Sequence, residues 1–401
     1  MNKPATRDYL AVSLFWLAVS FFWGAMLFVV LQSRVQEIVK VELLSLGRVL
    51  TERQIEAEVV ARLGWMLAAG ALVAAASQLL FGAVSDNFAH RLGRRKPFLI
   101  AGVLLANFGI VMLPFVHSYA AMLGVFLFIQ LCLNAASGPY QALLPEKIPS
   151  EYHGSAAAYM GLFQLVGRTG GMVLGALLMR YDFGLTAMMI LFVLMLNGLM
   201  LASVVLLREE PSVVAAGTRE GRFGPVLQSL RSLWHTDLKS YPSFVWLLVS
   251  RFVINTGIYT MMPLLQYYLI NTFGLSRNEA LEKQALLGLV VNLTGMAGTF
   301  PAGHASDRWS KKRVVYVTCA ICVAGGLGFA LSGSVGAAVV SAAVFGLGYG
   351  AFQAVDWALV CNVLPDEEPA KYMGVWSFAD TIPQIVAPLI GGILTTWAIA
   401  R

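Results

Sequence analysis

Charge is scarce in this chain, and that scarcity excludes most soluble folds. Of 401 residues, 12% are Asp, Glu, Lys or Arg and 58% are hydrophobic, with a mean hydropathy of +0.71. A water-exposed domain carries about twice that share of charge. Cysteine is also sparse. Cys132, Cys319, Cys322 and Cys361 all fall inside apolar runs, so they read as small packing residues, and neither a disulfide framework nor a metal site is expected. The sequence lacks a His/Cys/Asp cluster, a phosphate-cradling glycine loop and a nucleophile elbow, which leaves nothing for an enzyme to work with and calls for no cofactor. His304 stands alone, as packing histidines do. The net charge of +6 gathers in short turns between apolar runs. Anionic lipid accounts for such turns, and no nucleic-acid partner is expected.

What is present is hydrocarbon. Stretches of about 20 residues are apolar on every side, which a helix crossing about 30 Å of lipid requires, and they lack the alternation of barrel strands. The fold class expected is an all-α polytopic membrane protein. Spans are predicted at residues 9–31, 63–84, 97–116, 119–142, 154–179, 184–207, 244–270, 284–305, 313–332, 335–362 and 373–399. The first is too long, and too rich in Phe and Trp, for a cleavable signal peptide. Lys and Arg concentrate on the side of the N-terminus, including Arg91, Arg94, Arg95, Lys96, Arg308, Lys311, Lys312 and Arg313. Positive charge marks the inside, so a cytoplasmic N-terminus in an inner or plasma membrane is expected.

The chain also repeats. "LLPEKIPSEYHG" at 143–154 matches "VLPDEEPAKYMG" at 363–374, and the basic turns at 82–96 and 303–313 recur at nearly the same offset. Equivalent landmarks follow the second and fourth spans of each half. The division expected is an N-terminal bundle over 1–207, a cytoplasmic linker over 208–243 and a C-terminal bundle over 244–401. Two six-helix repeats would need a twelfth span, and eleven are read.

The turn motifs carry a resemblance. Gly82, Ser85, Asp86, Gly93, Arg94, Arg95 and Lys96, repeated as Gly303, Ser306, Asp307, Arg308, Lys311, Lys312 and Arg313, resemble the signature of the major facilitator superfamily. The extended form "SDNFAHRLGRRKPF" is similar to the turn of its sugar–cation symporters, the glycoside-pentoside-hexuronide permeases and sucrose transporter relatives. Asn87 stands where that pattern has Arg, and Ser310 where it has Gly. The resemblance implies two bundles rocking about a central cavity. It also implies a cytoplasmic gate made by Gly82, Asp86, Gly93, Arg94, Arg95, Gly303, Asp307, Arg308 and Lys312. Asp86 would latch onto the start of the eleventh helix near Met373, and Asp307 onto the start of the fifth near Gly154. Topology signalling alone is the other reading of the basic residues.

By the same resemblance the first, fourth, seventh and tenth helices line the cavity, and these carry polar stripes at helical spacing. They hold Trp16, Ser20 and Trp23; Gln130, Asn134, Ser137 and Gln141; Arg251, Asn255 and Tyr259; and Gln353, Asp356 and Trp357. Amides beside aromatic faces suit a polyhydroxylated ligand. Ties between helices are the alternative use of the same groups.

Four ionisable residues lie well inside the spans: Arg168, Arg251, Asp356 and Asp380. Each is costly in hydrocarbon unless paired or wet. Arg251, Asp356 and Asp380 sit about six or seven residues from the cytoplasmic ends, which puts them near one depth and predicts a single network. That network is either a static ion pair or a proton carrier, with Asp356 the carrier and Asp380 in support. Arg168, one turn after Gln164, is placed to hydrogen-bond a sugar or to pair with a carboxylate. The sodium-coupled sugar permeases use aspartates in helices 2 and 4. Here "WMLAAGALVAAASQLL" has none and helix 4 offers amides, so a proton is the expected coupling ion. The expected function is proton-coupled uptake of a small-molecule substrate, a sugar or glycoside, by a monomer in the lipid bilayer. Export of a small organic or drug-like molecule and a non-transporting assembly or pigment-handling role are the alternatives.

Overall fold

The apolar runs fold as helices because a bilayer offers their backbone groups no other partner. The structure, a computed structural model, describes residues 4–45, 51–88, 90–209, 237–365 and 368–399. Helices α1 (Thr6–Ala25) and α2 (Leu31–Ser45) are joined by a π-helical turn, Met26–Val30. Then come α3 (Glu52–Asp86), α4 (Lys96–Met112), α5 (Tyr119–Gln141), the short α6 (Leu143–Lys147), α7 (His153–Leu178) and α8 (Gly184–Leu206). The second half holds α9 (Pro242–Phe273), α10 (Arg277–Arg308), α11 (Lys311–Ala330), α12 (Val335–Cys361) and α13 (Pro369–Ile399). Among the described residues, ten helical segments are long and apolar enough to cross a membrane. Helix α13 covers the last expected span. Residues 210–236 of the expected linker lie outside the described residues.

The helices extend beyond two of the expected span boundaries. The polar connection after the first span is largely helical, because its charges pair at helical spacing and across helices. Arg34 bonds Glu37 at 2.6 Å, and Arg62 bonds Glu58 at 2.8 Å and Glu42 at 2.6 Å. Glu42 also accepts from the Tyr119 amide at 2.7 Å, fastening α2 to the start of α5. The eighth span begins at Arg277 rather than 284, where Ser276 and Glu279 form a capping box.

Glycine sets the helix spacing. A side chain at Gly167 or Gly171 of α7 would strike the Leu17 or Phe21 carbonyl of α1, and one at Gly24 would strike the Arg168 carbonyl. This small-residue seam lets the α1 and α7 backbones touch. The halves meet through α3 on α13 and through α7 on α10 and α12, while α2 packs on α3 and α5 of its own half.

Candidate functional site

At the end of the bundle bearing the basic turns, each half holds the other by a carboxylate on a helix N-terminus. Asp307, at the end of α10, accepts from the Gly154 amide at 2.7 Å, the Ser155 amide at 2.8 Å and the Ser155 hydroxyl at 2.5 Å. Asp86, at the end of α3, accepts from the Lys371 amide at 2.9 Å and the Ala370 amide at 3.3 Å, one turn before the expected Met373. A carboxylate at a helix N-terminus is held by free amides and by the helix dipole. The glycines of the motif make this approach sterically feasible: a Cβ at Gly82 would sit 2.5 Å from the Ala370 carbonyl, and Gly303 abuts Gly154. Gly93 turns the chain at φ +96°, a conformation that favours glycine.

The basic residues divide sharply. Arg95 is buried and bonds Asp86 at 2.6 Å, Glu146 and the Ser85 hydroxyl. Arg94 reaches Glu146 at 2.9 Å. Glu209 accepts from the Lys96 amide at 3.1 Å and so caps α4 from the far end of the first half. In the second turn Arg308 and Lys312 are exposed, and neither forms an ion pair among the described residues. Beside the latches lies a cavity of about 540 Å³ lined by Glu146, Ser150, His153, Cys361 and Asn362. Across it His153 Nδ1 meets Asn362 Oδ1 at 2.6 Å.

Deeper in the bundle the structure brings Arg251, Asp356 and Asp380 together. Arg251 of α9 is ion-paired with Asp356 of α12, lies 3.9 Å from Asp380 of α13, and stacks over the Trp376 ring at 4.6 Å. Asn255, one turn along α9, donates to Asp380 at 2.9 Å, and Gln384 donates at 3.3 Å. Gln353 donates to the Tyr349 hydroxyl at 3.0 Å. Arg251 Nε, Gln353 Oε1 and Trp376 Nε1 are buried without a hydrogen-bond partner among the described residues. Orphaned polar atoms gathered in one place mark a spot for water or ligand. Tyr259 of α9 and Tyr349 of α12 are half-buried, while Arg168 of α7 is exposed. Gln164 is half-buried one turn earlier. Trp16 of α1 meets Trp357 of α12 edge-on at 6.1 Å, joining the halves between the latches and the cluster. Trp23 packs edge-on to Phe126 at 6.3 Å.

The fourth-span stripe is used differently. Asn134 accepts from Gln78 of α3 at 2.6 Å and donates to Gln130 at 2.9 Å, and Gln141 donates to Gln78 at 2.9 Å. Gln130, Asn134 and Gln141 are all buried, and Ser377 of α13 reaches Gln141 at 3.4 Å. These amides tie α3, α5 and α13 together. Sequence reasoning missed Gln78, Glu146, Glu209, Tyr349 and Trp376. Gln78 and Trp376 lie on helices outside the four assigned to the cavity and Glu146 and Glu209 lie between spans, so the stripe test did not reach them, while Tyr349 lies on the tenth span itself, one turn before Gln353, and was passed over.

Membrane-length helices folded as two bundles around a buried charge cluster are the architecture of a secondary transporter. The chain belongs to the Major Facilitator Superfamily, whose family pattern matches residues 9–388. It is an integral, multi-pass membrane protein. Solved structures share the fold. The human organic anion transporter MFSD10 (TETRAN) aligns with TM-score 0.67 at 16% identity, covering 96% of this chain and 91% of that one. A bacterial homologue of the iron transporter ferroportin, in an outward-facing state, aligns with TM-score 0.63 at 14% identity, over 94% and 92% of the two chains. The proton:xylose symporter XylE, bound to 6-bromo-6-deoxy-D-glucose, gives 0.62 at 15% identity, over 96% and 90%. An uncharacterized MFS-type transporter of Mycobacterium tuberculosis is 29% identical over 105 residues, 26% of this chain and 15% of that protein's length.

Proposed function

We propose that this chain is a proton-coupled, alternating-access carrier held here with its cytoplasmic end closed. The observation that carries the reading is the buried Arg251–Asp356 pair, with the half-exposed Asp380 beside it, lying beyond a closed end where each half caps a helix of the other. A carboxylate beside a movable guanidinium takes up or gives up a proton as the site is dried and wetted, and two acids sharing one Arg titrate as a pair. Asp356 is the carrier, since it is the more buried of the two and bonds Arg251 directly.

Uptake of a sugar or glycoside remains the substrate reading, and placement in the sugar–cation branch rests on the "SDNFAHRLGRRKPF" turn. Asn255, Gln353, Tyr259, Tyr349 and Trp357 support it by offering hydrogen bonds beside ring faces. Export of a small organic solute is the rival, favoured by the exposed Arg168. One chain supplies both sides of the site, so a monomer suffices. In reconstituted vesicles Asp356→Asn should abolish uptake driven by an imposed pH difference while sparing substrate exchange. Accumulation by that variant would reassign the cluster to a structural role.

A further inference from the structure

We infer that the turn between α10 and α11 is a docking site for an anionic phospholipid, whose phosphate is held by Arg308, Lys312 and Arg313. Helix α11 shows which way that turn faces. Exposed residues recur along it at helical spacing, Tyr316, Val317, Ala320, Val323, Leu327 and, just past its end, Leu331, so one side of the helix looks outward over its whole length. In an integral membrane protein an apolar side of this kind meets lipid tails. At the latched end the same side finishes in Lys312 and Arg313, one turn before Tyr316 and Val317, and both are exposed. The rise from Lys312 to Leu331 is about 28 Å, close to the thickness of the hydrocarbon, so the two cations stand at headgroup depth. Trp309 and Tyr316 flank them at 70% and 71% exposure, and such amphipathic rings settle where tails give way to headgroups.

The repeat supplies a contrast. Helix α4 carries a matching apolar side in Leu104, Leu105, Phe108 and Phe115, yet the base of that helix is closed. Phe98 there packs edge-on to Phe81 at 6.3 Å and to Phe88 at 5.0 Å, Arg95 is buried on Asp86 and Glu146, and Arg94 reaches Glu146. The first turn thus gives its guanidiniums to protein carboxylates. In the second turn Asp307 is directed to Gly154 and Ser155 of α7, and no carboxylate among the described residues pairs with Arg308, Lys312 or Arg313. Three cations without a counter-ion in one turn repel one another, and the dipole of α11 opposes the two that sit in its first turn. A phosphate relieves both effects, and a guanidinium meets it through two parallel N–H groups. A lipid brings that phosphate with tails that lie along Val317, Val323 and Leu327, which a free ion does not.

The test uses the purified full chain in detergent, titrated with dioleoylphosphatidylglycerol, dioleoylphosphatidylcholine or inorganic phosphate and read by its melting temperature, which a ligand of the native state raises. Phosphatidylglycerol should stabilise the protein at concentrations where the other two do not. A Lys or Arg beside an anionic headgroup is worth about fivefold in affinity. Replacing Arg308, Lys312 and Arg313 together by Gln should therefore raise the phosphatidylglycerol midpoint about a hundredfold, and Lys312→Gln alone about fivefold. Arg91→Gln, which removes an exposed cation of the first turn, should leave the midpoint in place. Melting without lipid reports whether each variant is folded, and if the triple variant is not, Lys312→Gln decides. No stabilisation by phosphatidylglycerol, equal stabilisation by phosphatidylcholine or by inorganic phosphate, an unmoved midpoint in the second-turn variants, or an equal shift in Arg91→Gln would each overturn the inference.

Discussion

Replacing Asp307 by Asn removes one latch with almost no change in shape. The carboxylate accepts three hydrogen bonds, from the Gly154 amide, the Ser155 amide and the Ser155 hydroxyl, at 2.7, 2.8 and 2.5 Å. An Asn side chain keeps one accepting oxygen and turns an NH2 toward the remaining amide, so donor faces donor. It also loses the attraction of the α7 dipole. A dipole contribution of about 0.5 kcal/mol and a charged hydrogen bond of about 1.5 kcal/mol together give about 2 kcal/mol against the closed end. At about 1.4 kcal/mol per tenfold, the closed-to-open ratio falls about thirtyfold. Cys361, buried at 7% exposure beside the cavity at this end, reports the change. With Cys132, Cys319 and Cys322 replaced by Ser, a polar maleimide should label it about thirtyfold faster in Asp307→Asn while the closed form still predominates. Unchanged labelling in a correctly inserted variant would refute the latch.

Arg95→Ala should be far more damaging than Arg94→Ala. It strands Asp86 as a buried carboxylate with no ion-pair partner, a loss of about 3–5 kcal/mol, whereas Arg94 is half-exposed and Glu146 keeps Arg95 without it. Expression and melting temperature check this, and equal tolerance of the two would undo the account of the turn. Gly171→Val should drive a side chain into the Phe21 carbonyl and lower the melting temperature, overpacking costing about 1–3 kcal/mol. An unchanged melting curve would mean that α1 and α7 can separate there without loss.

The helices were legible because lipid imposes one solution on every apolar run, and the latches because Asp86 and Asp307 sit in a repeated motif. The common depth of Arg251, Asp356 and Asp380 could be counted from the span ends, and the side chains do meet. What could not be counted is which polar group serves a neighbour. Gln130 and Asn134 look like a ligand stripe until Gln78 arrives from α3, a contact between residues 56 positions apart. The helix α2 was hidden for a different reason, since hydropathy registers apolarity and α2 is held by Glu–Arg pairs.

The two latches are unequal in what each leaves behind on parting. If α3 withdraws from α13, Asp86 keeps Arg95, 2.6 Å away on its own half, and stays neutralised. If α7 withdraws from α10, Asp307 loses every bond recorded for it, because all three come from Gly154 and Ser155. Water must then rehydrate a bare carboxylate within a narrow cleft. The α3/α13 seam is thus the cheaper one to part, and the latched end should unzip from that side, with the α7/α10 seam acting as its hinge until the cleft is wet enough to release Asp307.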